Sequence, residues 1–153
     1  MQVFIIGSPL DTAKVLDNRR LNKQIIECYQ ILDAFNGSKA WSNHPVVLQY
    51  RDYKEWVKLY TWCLEDYYTS IRYENASDMI YISKEWSDMS LECKPSFHNE
   101  EFFDQMKRRL YTKNPQHYSQ WSELGKSEEN WYYVYGVMVD MLTVKELNKH
   151  QIK

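Results

Sequence analysis

The sequence predicts an all-α fold, a single compact helical domain built around one long central helix. Apolar side chains from Val46 to Ile71 recur at alternate steps of four and three, which is the period of one helix face. Near the start of the chain, Ser8 and Pro9 combine a capping residue with a proline suited to a first helical turn. The four glycines form neither a phosphate-binding loop nor a dinucleotide fingerprint.

The first third of the chain is expected to form two helices. One begins at Pro9, and Asp17-Asn18 either breaks it or caps a second helix. The helical pattern then continues to about Phe35, where Asn36-Gly37 supplies the left-handed residue that commonly ends a helix. Residues 38–44 are a connection.

The central helix is predicted to run from Val46 to about Arg72, a length of roughly 40 Å at 1.5 Å per residue. Residues 74–97 show a mixed pattern that includes a loop at Lys94-Pro95-Ser96. A third helix is expected from His98 to Thr112, followed by a turn at Asn114-Pro115.

The last part of the chain is harder to assign. Residues 116–135 are aromatic and irregular, and Val137 to Lys149 predicts a short terminal helix. We expect residues 1–153 to form one domain, in which 136–153 is a possible C-terminal extension.

Composition limits the possible functions. The 153 residues carry a net charge of −2, which is unlike a chain that coats DNA by long-range attraction. Residues 1–60 have a net charge of +2, so a local basic surface remains open. The three widely spaced cysteines support neither a disulfide framework nor a metal site. Without a leader or a membrane span, the protein is expected to be cytoplasmic, with no membrane partner.

The helix that follows Asp17 has one polar and one apolar face. Its polar stripe contains Arg20, Lys23, Glu27 and Gln30, and its apolar stripe contains Leu21, Ile25, Cys28 and Leu32. Helical spacing places the cations beside the carboxylate. The pattern is compatible with a solvated face that carries a Lys23 to Glu27 pair, and with a site that performs chemistry.

Other polar groups also have two interpretations. Asn43-His44-Pro45 is either a cap for the central helix or an anion site at its N-terminus. The basic residues near the end of the third helix form either a solvated helix end or a grip on a nucleic-acid backbone; they are Lys107, Arg108, Arg109 and Lys113. His98 and Glu101 have helical spacing but no second pair, so no metal and no cofactor are predicted. Tyr118 and Trp121, near His117, suit packing or base stacking.

Four segments of this chain resemble the pyrimidine-dimer DNA glycosylase family, in its less characterised bacterial and phage branch. They are Ala13 to Gln24 with Glu27 and Leu32, Trp41 to Pro45 with the helix to Arg72, Lys94 to His98, and Leu110 to Tyr118. The resemblance implies an all-helical enzyme that excises a damaged base and cleaves the abasic site. It also implies DNA as the partner, in the cytoplasm of a bacterium or of a phage-infected cell.

The resemblance implies that, in this family, an N-terminal α-amine attacks the sugar of the lesion and forms a Schiff base beside a helix glutamate. Glu27 occupies the place of that glutamate. Gln2 is bulky and is expected to leave Met1 in place, so the Met1 amine is the expected nucleophile. An α-amine has a reference pKa near 8, compared with about 10.4 for lysine, so more of it is neutral at pH 7.

The remaining candidates are expected to bind phosphates or other parts of the substrate. They are Arg19, Arg20, Lys23, Gln24, Asn43, His44, Arg109 and His117. Two further hypotheses remain open. One is a noncatalytic module that binds a nucleotide, a nucleic acid or a protein partner in the same pocket. The other is a structural protein whose aromatic residues only form the core.

Overall fold

Within the described residues, six α-helices surround an apolar core and one β-hairpin packs beside them. The structure is a computed structural model that describes residues 1–73, 76–127, 131–134 and 137–140. The helices are α1 (Pro9–Val15), α2 (Asn18–Phe35), α3 (Pro45–Tyr50), α4 (Lys54–Arg72), α5 (Ala76–Ser90) and α6 (Glu100–Lys113). The strands are β1 (Trp131–Val134) and β2 (Val137–Asp140), and single 3-10 segments occur at Arg51–Tyr53, Leu91–Cys93 and Ser119–Leu124. The predicted all-α class is confirmed.

The predicted caps of the first two helices are present. The Ser8 hydroxyl accepts a hydrogen bond from the Asp11 amide at 3.1 Å, at the start of α1. The Asp17 carboxylate accepts one from the Arg20 amide at 3.2 Å and so caps α2. After α2, Gly37 adopts a φ of +103°, a left-handed conformation that a residue with a Cβ rarely adopts. Local sequence therefore determines these boundaries.

The helical segment from Pro45 to Arg72 is central, but it is not one continuous helix. The 3-10 segment Arg51–Tyr53 interrupts it, and Tyr53 has a φ of −127°. Across this break, the rings of Tyr50 and Tyr53 both contact Phe97, with centroids 5.3 and 5.8 Å away. The sequence period continues through the break, so it predicts a continuous helix. The second part, α4, is about 28 Å long and packs against α1, α2 and α5.

Two elements differ from the sequence prediction. Helix α5 lies where the pattern is mixed, and it is joined to α4 by polar contacts. The Ser83 hydroxyl donates to the Cys63 carbonyl at 2.8 Å, and the Trp86 indole donates to Asp66 at 2.8 Å. The predicted terminal helix from Val137 is wrong over residues 137–140, which form β2, because this segment pairs antiparallel with the aromatic strand β1. The rest of that prediction lies outside the described residues.

Aromatic side chains form much of the core. The Trp56 ring lies between Tyr50 and Tyr60, with ring centroids 5.3 and 4.9 Å away and nearly parallel planes. All three residues are at most 1% exposed.

No helix in the described ranges combines the length and the apolar character needed to cross a membrane.

Candidate active site

The first residues of the chain are buried in the core and are held there by Gln24. The Gln24 Oε1 atom accepts a hydrogen bond from the Phe4 amide at 2.7 Å. Its Nε2 atom donates to the Gln2 carbonyl at 2.9 Å. Gln24 is only 1% exposed. Gln24 is predicted to bind substrate, but both of its amide atoms contact the N-terminal segment, which favours a role in positioning that segment.

Three further contacts fix the N-terminal segment. The Tyr60 hydroxyl donates a hydrogen bond to the Phe4 carbonyl. The Tyr132 hydroxyl, on β1, donates to the Met1 carbonyl at 3.1 Å. The Gln2 amide donates to Glu27 Oε2 at 3.4 Å. The first peptide group of the chain is therefore held against the glutamate of α2.

The Met1 α-amine lies among charged side chains from α2 and α6, and we call this group the amine centre. Its members are the Met1 amine, Lys23, Glu27, Arg109 and Lys113. Burial lowers the pKa of the Met1 amine from its usual 8.0. Glu27 opposes this shift, whereas the three cations add to it. The neutral, nucleophilic form of the amine is therefore more abundant near pH 7 than in a free chain terminus.

Glu27 is the carboxylate of the amine centre. Its side chain is 12% exposed, and its Oε1 atom lies 4.0 Å from Lys23 Nζ, one helical turn earlier. The expected Lys23 to Glu27 pair is present at this spacing. Because the Gln2 amide contacts the other carboxylate oxygen, Glu27 lies between the chain terminus and a cation.

Arg109 is a buried cation with an unsatisfied donor. It is 7% exposed, and its Nη1 atom has no hydrogen-bond partner among the described residues. A buried charged donor without a partner costs free energy unless a ligand completes the site. The neighbouring cations differ, because Lys107 lies 3.7 Å from Asp104 and Arg108 donates to the Leu124 carbonyl at 3.0 Å. Lys107 and Arg108 therefore have partners within the protein, whereas Arg109 Nη1 has none among the described residues.

A basic cavity of about 320 Å³ adjoins the amine centre. Its lining residues are Asp17, Arg19, Arg20, Lys23, Lys113, Asn114 and Tyr118. Lys23 and Lys113 belong to both the basic cavity and the amine centre. Burial lowers the pKa of Lys113, and the nearby cations of Arg20, Arg109 and Lys23 lower it further. An anion such as a DNA phosphate would relieve this crowding of positive charge.

His44 caps α3 and contacts a side chain that binds Met1. Its Nδ1 atom accepts a hydrogen bond from the Val46 amide at 3.1 Å, so the capping interpretation is correct for this atom. The His44 ring lies edge-on to Tyr132, with centroids 6.0 Å apart, and Tyr132 in turn binds the Met1 carbonyl. Asn43 is exposed immediately before the cap.

His117 lies outside the lining of the basic cavity. Its Nε2 atom is 3.0 Å from the Val15 carbonyl at the end of α1. The next residue, Tyr118, is buried, stacks on Trp121 with ring centroids 5.5 Å apart, and donates a hydrogen bond to Asp17. These contacts favour the packing interpretation of this aromatic group over base stacking.

The structure adds Tyr132 to the predicted site. It also places Lys113, one helical turn after Arg109, in both the amine centre and the basic cavity. Tyr132 lies in an aromatic segment without a clear period, and no local signal connects it to Met1. Among the described residues, no three histidine, cysteine or acidic side chains lie together as metal ligands.

The fold and site define a helical protein in which a half-buried N-terminal amine lies beside a carboxylate and a basic cavity. A family model for pyrimidine dimer DNA glycosylases matches residues 1–81, which is more than half of the chain. The protein belongs to this family, and membership supports a DNA glycosylase-like role. No curated protein and no solved structure matches the chain. The family match contains Met1, Lys23 and Glu27, whereas Arg109 and Lys113 lie beyond it.

Proposed function

We propose that this protein is a DNA glycosylase with abasic-site lyase activity, in which the Met1 amine is the nucleophile and Glu27 assists it. The observation that carries the proposal is the position of the chain terminus, where the partly buried first peptide group contacts Glu27. The pKa of the amine is lowered by this burial. Family membership supports DNA as the substrate.

The proposed reaction starts with the neutral amine. Its lone pair forms a bond to C1′ of the sugar, while the bond between C1′ and the base breaks and its electron pair leaves with the base. Glu27 stabilises the positive charge that develops at the sugar. A proton then moves from the new C–N ammonium to O4′, the C1′–O4′ bond breaks, and nitrogen and C1′ form the double bond of a protonated Schiff base. A carboxylate accepts a proton from C2′, the C2′–C3′ double bond forms, and the 3′ phosphate leaves with the electrons of the C3′–O bond.

Cations from two helices are proposed to hold the phosphates that flank the reacting sugar. Arg19 and Arg20 line the basic cavity from α2, and Lys113 lines it from α6. The unpartnered Nη1 atom of Arg109 supplies a further donor. A local basic site can bind a DNA backbone even though the whole chain carries a net charge of −2.

The three cysteines are free, which supports the proposed cytoplasmic location.

Strand cleavage tests this proposal. Purified protein is incubated with duplex DNA that carries either one abasic site or one ultraviolet-induced dimer. We expect cleavage by the wild type, and a loss of about 100-fold or more in Glu27→Gln, because a positioned acid or base contributes at least this factor. The exposed Glu85→Gln is the matched control and should retain the wild-type rate. DNA binding without cleavage of either substrate would instead support a noncatalytic module.

The pH dependence of cleavage provides a second test. Because only the neutral amine attacks, the single-turnover rate on saturating abasic DNA should rise with pH and level off with a midpoint below 8.0, since burial lowers the pKa of Met1. Lys113→Met removes a cation that contributes to this shift, so its midpoint should move to higher pH. The exposed Lys58→Met should leave the midpoint unchanged. A wild-type midpoint above 8.0 would contradict the assignment of Met1.

A further inference from the structure

A second cavity of about 320 Å³ lies between α3, the 3-10 segment Arg51–Tyr53, the loop before α6, and β1. Its lining residues are Leu48, Gln49, Arg51, Asp52, Tyr53, Ser96, Phe97, Asn99 and Tyr133. We call it the aromatic cavity. It shares no lining residue with the basic cavity. Its volume is within the range of small-molecule binding sites.

Gln49 gives the aromatic cavity a buried donor. The side chain is 3% exposed, and its Oε1 atom accepts a hydrogen bond from the Tyr133 amide at 2.7 Å. Because a backbone N–H can only donate, this bond fixes which end of the amide is the oxygen. The Nε2 atom at the other end has no partner among the described residues. A buried amide nitrogen of this kind is completed by an acceptor such as a carbonyl oxygen.

The walls of the aromatic cavity suit a flat ring. Phe97 and Tyr133 stack on each other, with centroids 5.2 Å apart and planes 14° apart. Tyr53 lies edge-on to Phe97, and its hydroxyl is 3.2 Å from the Ser96 hydroxyl. Asp52, which is exposed, also lines the cavity and offers a carboxylate acceptor at its rim.

We propose that the aromatic cavity binds a free nucleoside whose base carries a carbonyl next to a ring N–H, as uracil and guanine do. The carbonyl accepts from Gln49 Nε2, the ring N–H donates to Asp52, and the base packs against the aromatic wall. Tyr132 and Tyr133 are adjacent on β1, so their side chains lie on opposite faces of the strand. Because Tyr132 contacts Met1 and Tyr133 lines the aromatic cavity, nucleoside binding does not require the proposed reaction.

Calorimetric titration with uridine and with cytidine tests this inference, because the two nucleosides are similar in size and differ at that edge of the base. We expect saturable uridine binding that is about tenfold tighter than cytidine binding, as one hydrogen bond contributes about this factor. Gln49→Met removes the donor and should weaken uridine binding about tenfold. The exposed Gln120→Met should leave it unchanged.

Two further variants make the outcome decisive. Ser96→Trp places a large ring at the exposed edge of the cavity and should abolish uridine binding without disturbing the core. Glu27→Gln should bind uridine like the wild type even if DNA cleavage is lost or was never present. The inference is overturned if uridine shows no saturable binding, if ribose 5-phosphate binds as tightly, or if Ser96→Trp leaves binding intact.

Discussion

Replacing Gln24 with methionine is expected to lower the free energy of unfolding by about 2–4 kcal/mol, because two buried backbone groups lose their partners. The Phe4 amide and the Gln2 carbonyl both bind the Gln24 side-chain amide. Methionine has a similar volume, so little of the loss comes from a cavity. Urea denaturation followed by circular dichroism measures the change. Gln30→Met on the same helix is the control, since Gln30 is only partly buried.

The Gln24 variant also tests how the amine is positioned. If Gln24 holds Met1 against Glu27, then DNA cleavage by the folded variant should fall even under conditions where the protein remains fully native. Equal unfolding free energies for Gln24→Met and Gln30→Met would show that the N-terminal segment is held without this contact.

Acidification is expected to destabilise the protein through His98. Burial, and to a smaller extent the charge of Lys94, lowers the pKa of His98 from 6.5 to about 3. The ring stacks on Phe102 with centroids 5.4 Å apart, and its Nε2 atom lies 2.8 Å from the Tyr50 hydroxyl. Between pH 6.5 and 3 the unfolded chain therefore binds a proton that the folded protein does not. The contribution of His98 to the free energy of unfolding is therefore complete above pH 6.5. Below that pH it decreases by about 1.4 kcal/mol per pH unit.

Urea denaturation at several pH values between 7 and 4 measures this slope. His98→Gln has no titrating ring at this position. The slope of its free energy of unfolding against pH should therefore be smaller than that of the wild type. Gln120→Met, at an exposed position without a titrating group, is the control and should retain the wild-type slope. A His98→Gln slope equal to that of the wild type would show that His98 is not responsible for acid sensitivity.

The sequence predicted the parts of the fold that depend on local chemistry. Ser8 and Asp17 cap their helices as expected, and Gly37 ends α2. Helical spacing also placed Lys23 beside Glu27. Each of these features depends on residues a few positions apart, where the geometry of a helix or turn determines the contact.

Features that depend on distant contacts were not predicted. The break before α4 accompanies the packing of Tyr50 and Tyr53 on Phe97, more than 40 residues later. Gln24 lies three residues after Leu21 and four before Cys28, on the buried face of α2, but its polar side chain does not indicate that its partners are the Phe4 amide and the Gln2 carbonyl. Tyr132 reaches Met1 from the other end of the chain. A periodic pattern shows which side chains share a face, and tertiary packing decides what that face contacts.

Borohydride trapping on abasic DNA tests whether the Met1 amine forms a covalent bond to the sugar. The reductant converts a Schiff base into a stable amine, so the cross-linked protein can be digested and the modified peptide identified by mass spectrometry. We expect a cross-link on the N-terminal peptide, which disappears when the α-amine is blocked and which persists in the exposed-lysine variant Lys58→Met. A folded protein that gives no cross-link, or one trapped through a lysine side chain, would contradict the account.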